Sequence, residues 1–212
     1  MIFEQIRVGG DRNFAYVIGD EESRQCALVD PAYSPDEVLS RCQELGLQVR
    51  YLINTHGHSD HVNGNQHVLD ATDATLLAWG SPGVDDGVTF ALGKVSLRII
   101  YTPGHTQDSV CILASEEGVP PRLVTGDLLF VGKVGGTDFS EGARAEYDSL
   151  HDKLLTLPDE TEVWPGHDYG AAPSSTIGHE RTTNPFLLRE SFEAFVDLKQ
   201  NWAEYKRIHG IK

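Results

Sequence analysis

Nowhere in the chain do apolar residues run for the roughly 20 positions that a bilayer-spanning helix needs, so no segment reads as a membrane span. The start, Met1-Ile2-Phe3-Glu4-Gln5, has no basic region followed by an apolar run and does not read as a secretion signal. Basic residues are scarce: 17 Lys and Arg stand against 32 Asp and Glu, for a net charge of −15. A surface of that sign repels phosphate backbones and anionic bilayers, so neither nucleic acid nor membrane is an expected partner. Bound metal ions would add local positive charge outside that count. Cysteine is rare too. Cys26, Cys42 and Cys111 lie scattered in apolar segments with no Cys-x-x-Cys pair, which reads as reduced, mostly buried thiols. Together these absences point to a soluble, cytoplasmic protein. No linker or low-complexity run divides the 212 residues, so one domain over 1–212 with a substantial core is expected.

What is present alternates between strands and helices. Phe3 to Val8, Asn13 to Ile18 and Cys26 to Asp30 read as strands, the third stopped by Pro31. Ser34-Pro35-Asp36-Glu37 opens a helix: serine is a cap, proline suits the first turn, and Glu37 sits three after Ser34. Val38, Leu39, Cys42 and Leu45 give that helix an apolar stripe, and Gly46 ends it. A buried strand up to Ile53 follows, then a helix from Asn65 to Ala71. Val95 to Tyr101, Val110 to Ala114, Leu123 to Thr125 and Glu162 to Trp164 read as further strands, and Ala143 to Leu157 as a helix. A last amphipathic helix covers about 189–208; its Phe192, Phe195, Val196, Trp202 and Tyr205 face the core or, alternatively, a homodimer partner. Strands mixed with single helices imply an α/β domain with helices outside sheets.

The stretch Asn54-Thr55-His56-Gly57-His58-Ser59-Asp60-His61 packs three histidines and an aspartate into six residues. Imidazoles crowd this way when a cation takes up their lone pairs. A regularity extends the set. The strands ending at Ile53, Tyr101, Thr125 and Trp164 are each followed within a few residues by His or Asp: the first cluster, then His105, Asp127 and His167. Taken alone, His105 or His167 reads as a structural histidine and Asp127 as a turn cap; beside the first cluster they read as ligands. His67, His151, His179 and His209 fall in helical or terminal segments and read as ordinary surface or packing residues. Five imidazoles and two carboxylates suit two divalent ions. His56, His58 and His105 are candidates for one, Asp60, His61 and His167 for the other, and Asp127 for the bridge between them. Such ligands fit zinc, and also iron or manganese. A metal pair lowers the pKa of water from about 15.7 towards 7, so metal-assisted hydrolysis needs no serine or cysteine nucleophile. Asp60 and Asp127 are the expected catalytic carboxylates.

Thr55-His56-Gly57-His58-Ser59-Asp60-His61, Pro103-Gly104-His105-Thr106, Thr125-Gly126-Asp127-Leu128-Leu129-Phe130 and Pro165-Gly166-His167-Asp168-Tyr169 resemble the metallo-β-lactamase superfamily, in its order and over nearly the whole chain. The resemblance implies a four-layer αββα sandwich with the site at one edge of two sheets. Within that family the chain looks like the glyoxalase II (hydroxyacylglutathione hydrolase) branch, which cleaves a thioester at a dinuclear centre, most often zinc. It also looks like the persulfide dioxygenases, whose single non-haem Fe(II) is held by residues matching His56, His105 and Asp127. Phe3-Glu4, Gly19-Asp20-Glu21-Glu22-Ser23-Arg24 and Thr137-Asp138-Phe139 resemble the dioxygenases. Ser175-Thr176-Ile177-Gly178-His179-Glu180-Arg181 with Asn184-Pro185-Phe186 resembles short bacterial members of both. The expected function is a thioester or small-ester hydrolase, with the dioxygenase as alternative and a non-catalytic metal-binding module as a third reading. Either branch implies a small-molecule substrate, a glutathione conjugate among the candidates. One departure stands out. Where both branches commonly carry a glutathione-binding arginine, this chain has Gly135-Gly136-Thr137; Lys133, Arg144 and Arg181 are candidates to replace its charge, but each reads first as a solvated surface residue. The chain is also short for a full glyoxalase II, which adds a larger helical tail with basic glutathione contacts.

Overall fold

The computed structural model describes residues 1–211. The first half of the chain forms β1 (Ile2–Gly9), β2 (Asn13–Gly19), β3 (Gln25–Val29), α1 (Pro35–Glu44), β4 (Gln48–Ile53), α2 (Ser59–Val62), α3 (Asn65–Ala71) and β5 (Thr75–Leu77). Its five strands make one sheet in sequence order. β6 (Thr89–Leu92), β7 (Val95–Tyr101), β8 (Val110–Ser115) and β9 (Arg122–Gly126) begin the second sheet. A small hairpin, β10 (Leu129–Phe130) and β11 (Lys133–Val134), and the helix α4 (Glu141–Asp148) come next. β12 (Glu162–Pro165) and β13 (Ser175–Thr176) complete the second sheet, in the order β13-β12-β9-β8-β7-β6. The helices α5 (Ile177–Thr183), α6 (Phe192–Gln200) and α7 (Trp202–His209) follow.

Side-chain alternation explains the layering. All seven residues of β2 are buried. Phe14, Tyr16 and Ile18 enter a core shared with Leu97, Ile99, Val110 and Ile112 of the other sheet. Ala15 and Val17 point to the opposite face, against Val38 and Cys42 of α1 and Val68 of α3. The second sheet does the same: Cys111, Leu123 and Val163 meet Leu150, Ile177, Phe195 and Leu198 on its outer face. Strands covered on both faces need near-continuous apolar runs, and the three clusters are the three interfaces of an αββα sandwich. The cysteines are free and buried, as their apolar settings imply. Among the described residues no helix is long and apolar enough to cross a membrane.

Three local expectations change. Ser34 precedes α1, but its hydroxyl caps nothing there and donates instead to the Val8 carbonyl at 3.2 Å. The first turn is left to Pro35, which lacks the N–H a cap would serve, and to the acids Asp36 and Glu37. The helix expected over Ala143 to Leu157 is α4 followed by a π turn, Ser149–Lys153, and a 3-10 turn, Leu154–Thr156. Ser149 is drawn onto the Pro103 carbonyl at 2.7 Å, and the change of pitch keeps Leu150, Leu154 and Leu157 in one cluster. The single helix expected over about 189–208 is two helices, α6 and α7, meeting at Asn201, whose amide donates back to the Asp197 carbonyl at 3.0 Å. The bend lets Phe195 and Trp202 both reach Phe186; Phe195 is buried in the chain's own core, and Val196, Trp202 and Tyr205 pack half-buried against it.

Ile112 lies fully buried between the sheets. Ile112→Ala is expected to lower the unfolding free energy by about 2–5 kcal/mol in urea titrations, because the inter-sheet core cannot collapse around the void; a loss below about 1 kcal/mol would show a looser interface than this packing implies.

Candidate metal centre

Strand direction gathers the site. β7 and β9 are each antiparallel to β8, and β12 is parallel to β9, so β7, β9 and β12 all end at the same edge. The loops leaving those ends carry His105, Asp127 and His167. β4 delivers the histidine cluster from the other sheet to the same rim. Backbone bonds stitch the rim closed: Val110 N–H to the Thr55 carbonyl and Phe14 N–H to the Gly166 carbonyl, both 2.8 Å. Two glycines permit the close approach. A Cβ on Gly126, whose φ is +50°, would lie 2.7 Å from Thr55 Cβ, and one on Gly166 would lie 2.5 Å from Asp127 Oδ1.

All seven side chains singled out from the sequence converge. His58 Nδ1 lies 3.0 Å from His56 Nε2 and 3.1 Å from His105 Nε2. His61 Nε2 and His167 Nε2 are 3.2 Å apart, with Asp60 Oδ2 at 3.7 and 3.5 Å from them. Asp127 stands between the groups: Oδ2 is 3.6 Å from His105 Nε2 and 3.3 Å from His167 Nε2, and Oδ1 is 3.6 Å from His61 Nε2. Bonds of about 2.0–2.1 Å to a tetrahedral ion place neighbouring donors roughly 3.4 Å apart. The separations are therefore those of donors around ions. Three overlapping groups bring their donor atoms within 4.8 Å of one another: His56/His58/His105, His56/His61/Asp127 and Asp60/His61/His167. Asp127 Oδ1 is also buried without a hydrogen-bond partner, an unfilled valence that a cation would satisfy.

The outer contacts fix which nitrogen is free. His105 Nδ1 donates to the Gly136 carbonyl at 2.7 Å and His167 Nδ1 to the Asp11 carbonyl at 2.9 Å. A carbonyl only accepts, so both rings turn Nε2 to the centre, with its lone pair free in His105 and with the proton it gives to Asp127 in His167. Asp30 governs two more. Its Oδ2 takes the His61 Nδ1 proton at 2.9 Å and the Thr55 hydroxyl proton at 2.5 Å. With its proton so used, Thr55 Oγ1 accepts from His56 Nδ1 at 3.1 Å. One buried carboxylate thus orients a histidine in each group. Asn13 donates to both the backbone oxygen and Oδ2 of Asp60, at 3.0 and 3.1 Å. Asp30 and Asn13 were not singled out from the sequence. Asp30 did carry a signal, an acid at the end of β3 directly before Pro31, the same strand-end placement that marks the others. The Gly135–Gly136 turn is braced from behind, where Lys199 donates to the Gly135 carbonyl at 2.7 Å and pairs with the buried Glu146.

Charge divides the two halves. Burial, then the neighbouring His61, pushes His56 down to about 4. Burial lowers His105 as well. Burial also opposes charge on His61, but Asp30, Asp127 and Asp60 outweigh it and raise its pKa to about 9. Burial would raise Asp127; the hydrogen bond from His167 and the charges of His61 and His167 prevail and hold it at about 2. The remaining histidines play no part among these contacts; His67, for example, pairs with Asp36 on the surface at 2.7 Å.

Histidine and carboxylate nests at the rim of two packed sheets define a class of αββα proteins built to hold metal at a strand-end edge. The chain belongs to the metallo-beta-lactamase superfamily, whose description matches residues 8–78 and 81–167. It is 34% identical over 198 residues to human mitochondrial persulfide dioxygenase ETHE1, covering 89% of this chain and 76% of that one. It is 37% identical over 180 residues to hydroxyacylglutathione hydrolase of a Polaromonas species, covering 80% and 67%. Among solved structures, ETHE1 from Myxococcus xanthus superposes with a TM-score of 0.85 at 36% identity, covering 95% of this chain and 91% of that one.

Two outcomes follow from the charge pattern. A metal ion entering between Asp60, His61 and His167 must displace the His61 proton, which is bound below pH 9. Calorimetry in buffers of different ionisation enthalpy should find about one proton released at pH 7, and affinity there rising up to about tenfold per pH unit towards pH 9. Proton-free, pH-independent loading of both groups would contradict it. The same proton stabilises the metal-free fold fully below the ordinary 6.5 of histidine, and the contribution is lost as pH rises through 9. Asp30→Ala should weaken metal binding about 10–100-fold, measured by chelator competition, because His61 loses its direct tether and His56 its relay through Thr55.

Proposed function

We propose that the protein is a metal-dependent hydrolase that cleaves a thioester or a related small ester at a dinuclear centre. One observation carries the reading: two donor groups, His56/His58/His105 and Asp60/His61/His167, lie on either side of Asp127, and the second is fastened by its own partners, Asn13, Asp30 and the Asp11 carbonyl. Zinc fits the nitrogen-rich donors, and iron or manganese would also be accepted. When bound, such a pair lowers the pKa of water towards about 7 and polarises a carbonyl oxygen. The chain's own groups do the rest. Asp127, held ionised at about 2, turns Oδ2 towards both His105 and His167 and Oδ1 towards His61. Asp60 is also held ionised: burial opposes this, but the Asn13 hydrogen bond and the charges of His61 and His167 prevail. It lies at the open side of the second set. Tyr169 stacks on His167 with centroids 4.6 Å apart, and Phe130 packs beside it, shielding that ligand from solvent.

A second reading, a mononuclear Fe(II) persulfide dioxygenase using His56, His105 and Asp127, is supported by the likeness to the ETHE1 proteins, human and Myxococcus. Coverage does not separate the readings, since the chain spans 76% of human ETHE1 and 67–85% of hydroxyacylglutathione hydrolases. Either substrate class would be small, a glutathione conjugate included, although Gly136 contributes only backbone where the relatives' arginine would reach.

The readings separate on metal content and on His58. Purified protein should carry two ions per chain and hydrolyse thioesters; one iron per chain, with oxygen uptake on glutathione persulfide, would favour the dioxygenase and exclude the hydrolase. His58→Ala should cut thioester hydrolysis about 100-fold or more by opening the first donor set, whereas a centre on His56, His105 and Asp127 would keep its persulfide-dependent oxygen uptake.

A further inference from the structure

Four of the donor histidines have an outer partner, and those partners differ in firmness. Asp30 holds His61 directly and reaches His56 through Thr55. The Asp11 carbonyl, which holds His167, lies beside a backbone bridge from Asn13 to His167. His105 instead relies on the Gly136 carbonyl, in a turn of two consecutive glycines. Glycine has the widest backbone freedom of any residue, so this partner keeps its direction only if the turn itself is held.

Two helices hold it. α6 packs on α4, with the Phe195 and Tyr147 ring centres 5.4 Å apart. From α6, Lys199 donates to the Gly135 carbonyl at 2.7 Å and pairs with Glu146 of α4. Both side chains are buried, Lys199 5% and Glu146 0% exposed. The turn fits closely on its other side. A Cβ on Gly135 would lie 2.1 Å from the Asp127 carbonyl oxygen, and the Gly135 N–H donates to the Leu128 carbonyl at 3.1 Å. α4 also grips the loop that carries His105. A Cβ on Gly104 would lie 2.5 Å from Glu146 Cα, and the Ser149 hydroxyl, just past α4, donates to the Pro103 carbonyl at 2.7 Å. Glu146 thus bears on both sides of His105: its backbone meets Gly104, and its carboxylate anchors the lysine that holds Gly135.

The other cations near the turn act elsewhere. Arg144 pairs with Asp148 and lies 3.6 Å above the Phe192 ring centre. Arg181 pairs with Asp159 and donates to the Leu155 and Leu157 carbonyls. Lys133 lies over the Tyr169 and Phe130 rings. A buried ion pair is a poor source of stability, since apolar residues of similar volume commonly serve as well or better. What Lys199 adds over such a residue is a proton for the Gly135 carbonyl, kept in place by a carboxylate.

We propose that Lys199 is a positioning residue for the metal centre: anchored by Glu146, it fixes the Gly135–Gly136 turn, and the Gly136 carbonyl then sets the direction in which His105 presents Nε2. His105 is a ligand in both the hydrolase and the dioxygenase readings, so the inference rests on the donor group and not on the reaction.

The test replaces the pair by apolar residues, Glu146→Leu/Lys199→Met, which leaves no unpaired charge behind. The metal-free protein is labelled with nitrogen-15 at histidine, and the Nδ1 protons of His105 and His61 are each assigned by loss in the corresponding alanine variant. In the double variant the His105 Nδ1 proton is expected to exchange with solvent about tenfold faster, while the His61 Nδ1 proton, held by Asp30, exchanges as before. Zinc affinity, by chelator competition, is expected to fall about tenfold. A folded variant with unchanged His105 exchange, or with unchanged zinc affinity, overturns the proposal. So does equal acceleration of both protons, which would show that the pair acts on stability alone. Zinc taken up by neither protein would overturn the metal centre itself and the positioning role with it. If the double variant loses its native circular dichroism, Glu146→Gln, which keeps the shape and removes the charge that anchors Lys199, carries the same comparisons with changes of about fivefold.

Discussion

Imidazole nitrogens and carboxylate oxygens face one another across 3.0–3.7 Å at the sheet rim. Lone pairs at that spacing repel unless protons or cations lie between them, and carbonyls or carboxylates already hold the outer protons of His61, His105 and His167. The rest of the fold acts to keep these groups together. Two sheets bring four strand ends to one edge, cross-sheet backbone bonds close that edge, and glycines at 126 and 166 let the loops meet. Asp30 adds the decisive tie, since it orients a histidine in each donor set from a single buried carboxylate.

The electrostatic asymmetry of the two sets has a structural origin. The first set faces burial and other imidazoles, so His56 and His105 stay neutral and ready as donors. The second set lies among Asp30, Asp60 and Asp127, so His61 holds a proton until an ion displaces it. On the dinuclear reading the first group would take an ion without proton exchange, and the second would trade a proton for one.

The donor residues were legible because chemistry and strand ends coincide in the sequence. Histidine and aspartate follow each apolar run at Ile53, Tyr101, Thr125 and Trp164, and the near-continuous apolar character of strands covered on both faces made those runs recognisable. The sandwich itself came from the motif resemblance, since alternation alone does not say which face meets which layer. The short strands Thr75–Leu77 and Thr89–Leu92 were missed, being only three and four residues long. Asn201 breaks the last helix within a pattern whose apolar stripe continues, because the stripe records burial and not backbone pitch. Asp30 and Asn13 act through other side chains, a role that leaves little trace in spacing.

The central claim is that Asp127 is shared by two ions. Anomalous diffraction from crystals of the zinc-loaded protein tests it directly. Two peaks about 3.5–4 Å apart are expected, one among His56, His58 and His105, the other among Asp60, His61 and His167, with an Asp127 oxygen directed at each. A single peak, or ions bound away from Asp127, would contradict it.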